Sequence, residues 1–121
     1  MDFKIRINKI FQAFDLPLPG KQAHIELAPY RNEIELDFKN KNPKIASTLL
    51  LIYPKDGETF FCLIERQEYE GTHSNQISFP GGKNESGESM KETALRETME
   101  EIGVDPISIN IIGELTQVFV P

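Results

Sequence analysis

The segment from Gly82 to Val104, GKNESGESMKETALRETMEEIGV, predicts a helix that carries three glutamates on one face. At about 100° of rotation per residue, Glu97, Glu100 and Glu101 fall within one arc of about 100°, with Arg96 at its edge. A different arc holds the residues expected to pack on a core, which are Ala94, Leu95, Thr98 and Ile102. One face of the helix is therefore predicted to be buried, and another presents three carboxylates.

Both ends of this helix are marked in the sequence. Ser89-Met90-Lys91-Glu92 has the pattern of a capping box, in which the serine hydroxyl accepts a hydrogen bond from the third helical residue. Gly103 suits the position after the last turn, where a left-handed backbone conformation ends a helix. Ahead of the helix, the glycines of Phe79-Pro80-Gly81-Gly82 let the backbone approach a metal ion or a phosphate closely.

Three carboxylates on one helix face repel one another, and each like-charged pair costs an isolated helix about 0.2–0.5 kcal/mol. A solvated acidic face is the simplest interpretation of such a cluster. A bound cation is the alternative, because Mg²⁺ takes oxygen ligands from a few carboxylates and from substrate phosphates. The residues around the helix favour the cation.

The whole segment matches a known pattern at every fixed position. It has the form G-x5-E-x7-R-E-U-x-E-E-x-G-U, with U aliphatic, and the fixed positions are Gly82, Glu88, Arg96, Glu97, Glu100, Glu101 and Gly103. This pattern resembles the signature box of the Nudix hydrolase family. One degenerate position departs from it, since Thr98 stands where an aliphatic residue is usual.

The resemblance implies a chemistry and a metal site. Nudix hydrolases cleave a diphosphate linked to another moiety by attack of water on phosphorus, with Mg²⁺ or Mn²⁺ as cofactor. By resemblance, Glu97, Glu100 and Glu101 are metal ligands, and the carbonyl oxygen of Gly81 is a further one. Glu97 or Glu100 is alternatively the base toward the attacking water, and this choice stays open.

The other residues of the box have supporting roles by the same resemblance. Arg96 is grouped with the catalytic glutamates because a charge-assisted pair would orient one of them. Glu88 is expected to anchor the loop, and Gly82 and Gly103 are structural. Outside these roles, two cations are candidates for contacts with substrate phosphates, Arg66 and Lys83, with solvated surface charges as the alternative interpretation.

The residues before the box indicate which substrate class within the family this chain resembles. Residues 62–82 resemble the second motif of the coenzyme A diphosphatases, LLTxR(S/A)xxxRxxxGxxxFPGG, through Leu63, Arg66 and the Phe79–Gly82 end. Three positions depart from the motif, and they are Gln67, Gly71 and Asn75. The motif has an arginine where Gly71 stands, and a guanidinium is the usual bidentate partner of a phosphate. Coenzyme A or a derivative is the predicted substrate, and ADP-ribose, a dinucleotide or another nucleoside diphosphate derivative is the alternative.

The net charge and the cysteine content bear on the kind of partner and on the cellular location. A formal net charge of −6 gives no electrostatic attraction to nucleic acid or to an anionic membrane. The partner that the resemblance implies is a small-molecule nucleotide. Cys62 is the single cysteine, so no intramolecular disulfide can form, and a reducing, cytoplasmic location is expected.

The order of predicted elements indicates an α/β fold. A helix is predicted over residues 2–14, and strands are predicted at Glu33–Phe38, Ile45–Tyr53, Glu58–Arg66, Gln76–Phe79 and within Ile107–Val120. Asp56-Gly57 predicts a hairpin turn between two of them. Residues 1–20 are interpreted as an N-terminal helix and linker, and residues 21–121 as a hydrolase domain with its box at 82–104.

The resemblance implies the Nudix αβα sandwich with a mixed β-sheet. Only residues 105–121 follow the box, too few for the further strands and the second long helix of that fold. The fold is therefore predicted to be incomplete at the C-terminus, and the chain is interpreted as truncated. Exposed edge strands favour pairing between chains, so one hypothesis is that the chain forms a homodimer. A separate hypothesis is that the incomplete domain is catalytically silent.

Overall fold

The computed structural model describes residues 2–30, 42–66 and 76–119. Its helices are α1 (Phe3–Ala13), α2 (Gly20–Leu27) and α3 (Met90–Ile102), and a 3₁₀ helix spans Pro106–Ser108. Its strands are β1 (Ala46–Thr48), β2 (Ile52–Lys55), β3 (Glu58–Phe61), β4 (Ile64–Glu65), β5 (Ile77–Ser78) and β6 (Gly81–Lys83). The chain divides into two compact units, one of Met1–Arg6 with Lys44–Asn110 and one of Ile7–Pro43 with Ile111–Pro121.

The strands of the described segments form antiparallel pairs. Strand β1 pairs with β6, β2 with β3, and β4 with β5. Together with the helices, these pairs agree with an α/β fold. The αβα sandwich with a mixed sheet, incomplete at the C-terminus, stays a prediction.

The β2–β3 hairpin forms where the sequence predicts it. Asp56 and Gly57 both have positive φ angles, 50° and 78°, as a type I′ turn requires. Tyr53 lies directly opposite Phe60, and their rings stack with centroids 5.9 Å apart. The turn residues therefore set the register of the hairpin, and the aromatic pair adds cross-strand contact.

The prediction of one buried strand over Ile45–Tyr53 is wrong. This run is divided between β1 and β2 because its backbone changes partners. The N–H of Leu49 donates to the carbonyl of Pro80 at 2.8 Å, whereas the carbonyl of Leu51 accepts from Cys62 at 3.0 Å. The run is also not buried, since Ile45 is 55% exposed.

The predicted strand Glu58–Arg66 is likewise divided, into β3 and β4. No strand occurs between residues 107 and 119, although Ile109 has extended backbone angles of φ −107° and ψ 125°. An extended segment becomes a strand only when it finds a ladder partner, and in the described residues this one finds none. The weak strand predicted at Glu33–Phe38 lies outside the described residues.

The helix predicted over residues 2–14 is confirmed as α1. Helix α2 was not predicted, because its sequence is short and mixed in polarity. Pro19, at the N-cap of α2, was the available signal, because proline is favoured at helix starts. Among the described residues, no helix has the length and apolar character needed to cross a membrane.

Helix α3 has the predicted ends. The Oγ of Ser89 accepts a hydrogen bond from the Glu92 N–H at 3.1 Å, which confirms the cap. Gly103 has left-handed angles of φ 72° and ψ 19°, and its N–H donates to the Met99 carbonyl at 2.9 Å. Of the predicted packing residues, Ala94 and Thr98 are buried, and Leu95 and Ile102 are half-buried.

Thr98 provides a first test of this packing. Its side chain is fully buried, and its hydroxyl donates to the Ala94 carbonyl at 2.7 Å, an oxygen that the helix backbone also uses. Because such back-bonding slightly destabilises a helix, we expect Thr98→Val to raise the free energy of unfolding by about 0.5 kcal/mol. Urea unfolding followed by circular dichroism measures this change. A loss of stability would show that the hydroxyl contributes more than its burial costs.

Candidate active site

Strand β6 places two glycines against the helix. In the β1–β6 pair, Gly81 lies opposite Thr48, and Gly82 lies opposite Ser47. A Cβ atom built on Gly82 would lie 2.6 Å from Oε2 and 2.7 Å from Oε1 of Glu97. Glycine suits this position because the Glu97 carboxylate occupies the space that a side chain would need.

The guanidinium of Arg96 joins the loop to the glutamates of α3. Its Nη1 donates to Oε1 of Glu97 at 2.9 Å and to Oε2 of Glu100 at 3.2 Å. Its Nε and Nη2 donate to the two carboxylate oxygens of Glu88 at 2.6 and 3.1 Å, and Nη2 also donates to the Lys83 carbonyl at 3.0 Å. These bonds raise the pKa of Arg96 further above its usual range, the bond to Glu88 most strongly.

Glu88 is the most fully bonded carboxylate of this group. Besides the two bonds from Arg96, its Oε1 accepts from the Glu85 N–H at 2.9 Å and from the Thr93 hydroxyl at 3.0 Å. The bonds from Arg96 are the main reason that the pKa of Glu88 falls to about 2, and the bonds from Glu85 and Thr93 add to the shift. Glu88 therefore stays ionised through the whole neutral and mildly acidic range.

Two residues that the sequence analysis missed contact this group. Nδ2 of Asn84 donates to the Glu88 carbonyl at 3.0 Å and to Oγ1 of Thr93 at 2.8 Å. Thr93 is fully buried at 0% exposure. Both occupy x positions of the box, where the family pattern accepts any residue and carries no information. The available signal was that Thr93 precedes Glu97 by four residues and so shares its face of the helix.

Glu101, in the last turn of α3, bonds to the strand that carries the glycines. The Gly81 N–H donates to its Oε1 at 3.4 Å. Burial is the main cause that raises the pKa of Glu101, and the negative charge of Glu97 raises it further, whereas Gly81 and the positive charge of Arg66 oppose the shift. One like charge, one backbone donor and one cation thus act on the Glu101 carboxylate.

The predicted metal ligands fit a hard divalent cation by the type of their donor atoms. Carboxylate oxygens of Glu97, Glu100 and Glu101, with the Gly81 carbonyl, are the ligands that Mg²⁺ takes in proteins. The like charges of Glu97 and Glu101 would also be relieved by a cation. Among the described residues, no three His, Cys, Asp or Glu side chains are already arranged to hold a metal ion. Arg96 engages Glu97 and Glu100 instead, so an ion would have to share them with it.

The predicted phosphate contacts are placed differently. Arg66 lies near enough to Glu101 to act on its pKa, and its backbone N–H donates to the Gln76 carbonyl at 2.8 Å. Lys83 is exposed, and its carbonyl rather than its side chain contacts Arg96. The three departures from the coenzyme A motif, Gln67, Gly71 and Asn75, lie outside the described residues.

The low pKa of Glu88 predicts an acid-sensitive contribution to stability. Its pKa is about 2 in the folded chain against an ordinary value of 4.5, so the contribution is complete above pH 4.5 and is lost as the pH falls through about 2. We therefore expect the stability difference between the wild type and Glu88→Gln to shrink across this window. Urea unfolding between pH 6 and pH 2 measures it, with the exposed Glu58→Gln on β3 as the matched control. A difference that is constant with pH would contradict the Glu88 contacts.

The structure thus brings together two adjacent glycines, an arginine that bonds several carboxylates and the helix that carries them. Comparison with known proteins identifies the family in which this pattern occurs. The sequence model of the NUDIX domain matches residues 43–121, more than half of the chain. The chain therefore belongs to the Nudix family, whose members generally use divalent metal ions and act on small-molecule nucleotide substrates.

Individual relatives match over shorter stretches. Nudix hydrolase 3 of Caenorhabditis elegans is 42% identical over 72 residues, which are 60% of this chain and 30% of the relative. Nudix hydrolase 15, mitochondrial, of Arabidopsis thaliana is 37% identical over 75 residues, 60% of this chain and 26% of the relative. The 8-oxo-dGTP diphosphatase of Escherichia coli K12 is 30% identical over 76 residues, 63% of this chain and 57% of the relative. The chain thus spans less than two thirds of each of these relatives. No solved structure matches it significantly.

Proposed function

We propose that this chain is a metal-dependent hydrolase that cleaves the diphosphate bond of coenzyme A or its derivatives. The observation that carries the proposal is the bonding of one guanidinium, that of Arg96, to both Glu97 and Glu100, while the Gly81 N–H bonds to Glu101. The carboxylates that a divalent ion requires are thereby held on one helix beside the glycine-bearing strand, and nearby cations can serve the substrate anion. Arg66 is also a matching position of the coenzyme A motif.

The residues of α3 and the Gly81 carbonyl have distinct roles in this proposal. Glu97, Glu100, Glu101 and the Gly81 carbonyl would hold Mg²⁺ or Mn²⁺, which when bound neutralises phosphate charge and makes a water molecule more acidic. Arg96 orients Glu97 and Glu100, and either of these two glutamates is the base toward the attacking water.

Substrate contacts come from two cations outside this helix. Arg66 and Lys83 contact the substrate phosphates, Arg66 from the position after β4 and Lys83 from the end of β6. Glu88 lies outside the chemistry and anchors the loop through its bonds to Glu85 and Arg96.

Another nucleoside diphosphate derivative, such as ADP-ribose or a dinucleotide, is the second candidate substrate. The glycine at position 71 favours it, since the coenzyme A motif has an arginine there. The Escherichia coli relative named an 8-oxo-dGTP diphosphatase adds that nucleotide to the substrates worth testing. The cytoplasmic location, the truncation, the homodimer and the domain boundary at residue 21 stay predictions.

Product analysis tests the proposal. The chain is incubated with coenzyme A, ADP-ribose, a dinucleoside polyphosphate and 8-oxo-dGTP, each in Mg²⁺ and in Mn²⁺. Cleavage of coenzyme A to 3′,5′-ADP and phosphopantetheine is the expected result. Cleavage of another substrate alone moves the assignment within the family, and no cleavage at all supports a silent domain.

The glutamate assignment needs a matched pair of variants. Glu100→Gln removes one proposed ligand charge and is expected to lower kcat by at least about 100-fold, as the loss of a group that acts directly on the reaction does. Glu92→Gln makes the same change on an exposed position in the first turn of the same helix and serves as the control. Equal activity of the two variants, both folded by circular dichroism, would contradict the assignment.

A further inference from the structure

Two polar residues outside the fixed positions of the box, Asn84 and Thr93, form hydrogen bonds with Glu88 of the box. We infer that Asn84 and Thr93 are positioning residues, which hold the Glu88 carboxylate and, through it, aim the Arg96 guanidinium at Glu97 and Glu100. They contact neither the proposed ion nor the substrate in this assignment, and they act only through Glu88.

Asn84 ties the sheet, the loop and the helix together. Its backbone N–H donates to the Ile45 carbonyl at 2.9 Å, which continues the β1–β6 ladder by one bond. Its side-chain nitrogen donates to the Glu88 carbonyl and to the Thr93 hydroxyl. The carbonyl accepts only, and this fixes which end of the Asn84 amide faces it. The Glu88 backbone is thereby held at a set distance from the strand.

The Thr93 hydroxyl has one proton and two acceptors within reach. Oε1 of Glu88 lies at 3.0 Å, and the Ser89 carbonyl at 3.1 Å already accepts the Thr93 backbone N–H. A bond to an ionised carboxylate is stronger than one to a carbonyl that is already bonded, so the proton goes to Glu88. Because Thr93 is fully buried, water does not replace this donor when it is removed.

The position of the Glu88 carboxylate determines the orientation of the Arg96 guanidinium. Glu88 binds Nε and Nη2 of Arg96 together, and such a two-point contact fixes the plane of the guanidinium. The remaining nitrogen, Nη1, then faces Glu97 and Glu100. Loss of the Thr93 donor leaves the Glu88 carboxylate held by the Glu85 N–H and Arg96 alone, so it can tilt, and the Arg96 plane tilts with it. The proposed ligands are misaligned as a result, although the charges of the group are unchanged.

Thr93→Val is the decisive variant because it keeps the shape of threonine and removes the hydroxyl. Thr93→Ser retains the donor, and Thr98→Val removes the other buried hydroxyl of α3, which bonds only to backbone. The kinetic expectation rests on the proposed function. We expect Thr93→Val to lower kcat by about tenfold and to leave KM within about twofold of the wild type, as is found for groups that orient metal ligands. Thr93→Ser and Thr98→Val are expected to stay within about twofold of the wild type.

A second readout is independent of catalysis. In ¹⁵N-labelled protein without metal, the Nε–H signal of Arg96, assigned by its loss in Arg96→Lys, reports the bond to Glu88. We expect this signal to shift and to exchange faster with water in Thr93→Val and in Asn84→Ala, and to be unchanged in Thr98→Val. If the wild type cleaves no substrate, the proposed function fails while this signal still tests the positioning. An Arg96 signal and a kcat that are both unaffected by Thr93→Val would overturn the inference.

Thermal unfolding separates positioning from loss of fold. Each kinetic and spectroscopic measurement is made well below the Tm of the variant concerned. If Thr93→Val does not fold, the Asn84→Ala variant takes its place, since it removes a donor to Thr93 and leaves the helix core intact. The double variant of Asn84 and Thr93 is expected to lose no more activity than the worse single variant, because both act through Glu88. Fully multiplied losses would contradict a shared route.

Discussion

Arg96→Ala is expected to lower kcat by about 10- to 100-fold and to lower the Tm by several degrees. The Arg96 side chain is 23% exposed, and those of Glu88 and Glu97 are 15% and 20% exposed. Removing the guanidinium leaves these partly buried carboxylates facing each other without a cation, and unpaired charges in such surroundings are costly. The Lys83 carbonyl also loses its donor.

Arg96→Lys distinguishes charge from geometry. A lysine restores the positive charge, but one ammonium group cannot bond Glu88 at two points and also reach Glu97 and the Lys83 carbonyl. We therefore expect Arg96→Lys to recover part of the Tm and little of the kcat. Steady-state kinetics and thermal unfolding measure the two effects. Lys91→Ala removes an exposed cation from the first turn of the same helix and is the control. An Arg96→Ala protein as active as Lys91→Ala would refute the role of Arg96.

The parts of this site that could be predicted from the sequence are those set by local chemistry. The ends of α3 follow from Ser89 and Gly103, because a cap depends on residues within one turn. The hairpin follows from Asp56-Gly57 for the same reason. The common face of Glu97, Glu100 and Glu101 follows from the helix period alone.

The parts that could not be predicted depend on partners distant in the sequence. The run Ile45–Tyr53 has the composition of one strand, but its division reflects a change of partner from Pro80 to Cys62. The contacts of Asn84 and Thr93 depend on how the loop folds back on α3, which no periodicity encodes. Arg66 was predicted from a motif, whereas its effect on the pKa of Glu101 depends on the fold.

Gly82→Ala is expected to lower kcat by about 10- to 100-fold while the chain stays folded. The added Cβ atom would lie 2.6 Å from Oε2 of Glu97, so one of the two must move. A glutamate carboxylate is the end of a flexible side chain and moves more easily than the β6 backbone. Glu97 would then leave its bond to Nη1 of Arg96 at 2.9 Å, and a proposed metal ligand would be displaced.

Gly81→Ala is the matched control because it meets backbone instead of a side-chain end. Its Cβ atom would contact the Ser47 carbonyl and lie 2.6 Å from the Cα atom of Thr48, so the β1–β6 pair has to open. Forcing an extra carbon into packed surroundings costs about 1–3 kcal/mol, and we expect a loss of stability of this size. Gly82→Ala should thus lose kcat with little loss of Tm, whereas Gly81→Ala should lose Tm and also kcat, because the Gly81 carbonyl is a proposed metal ligand. Equal losses of stability in both variants would show that the Glu97 carboxylate is held as rigidly as the strand, and full activity of Gly82→Ala would show that its position does not matter for the reaction.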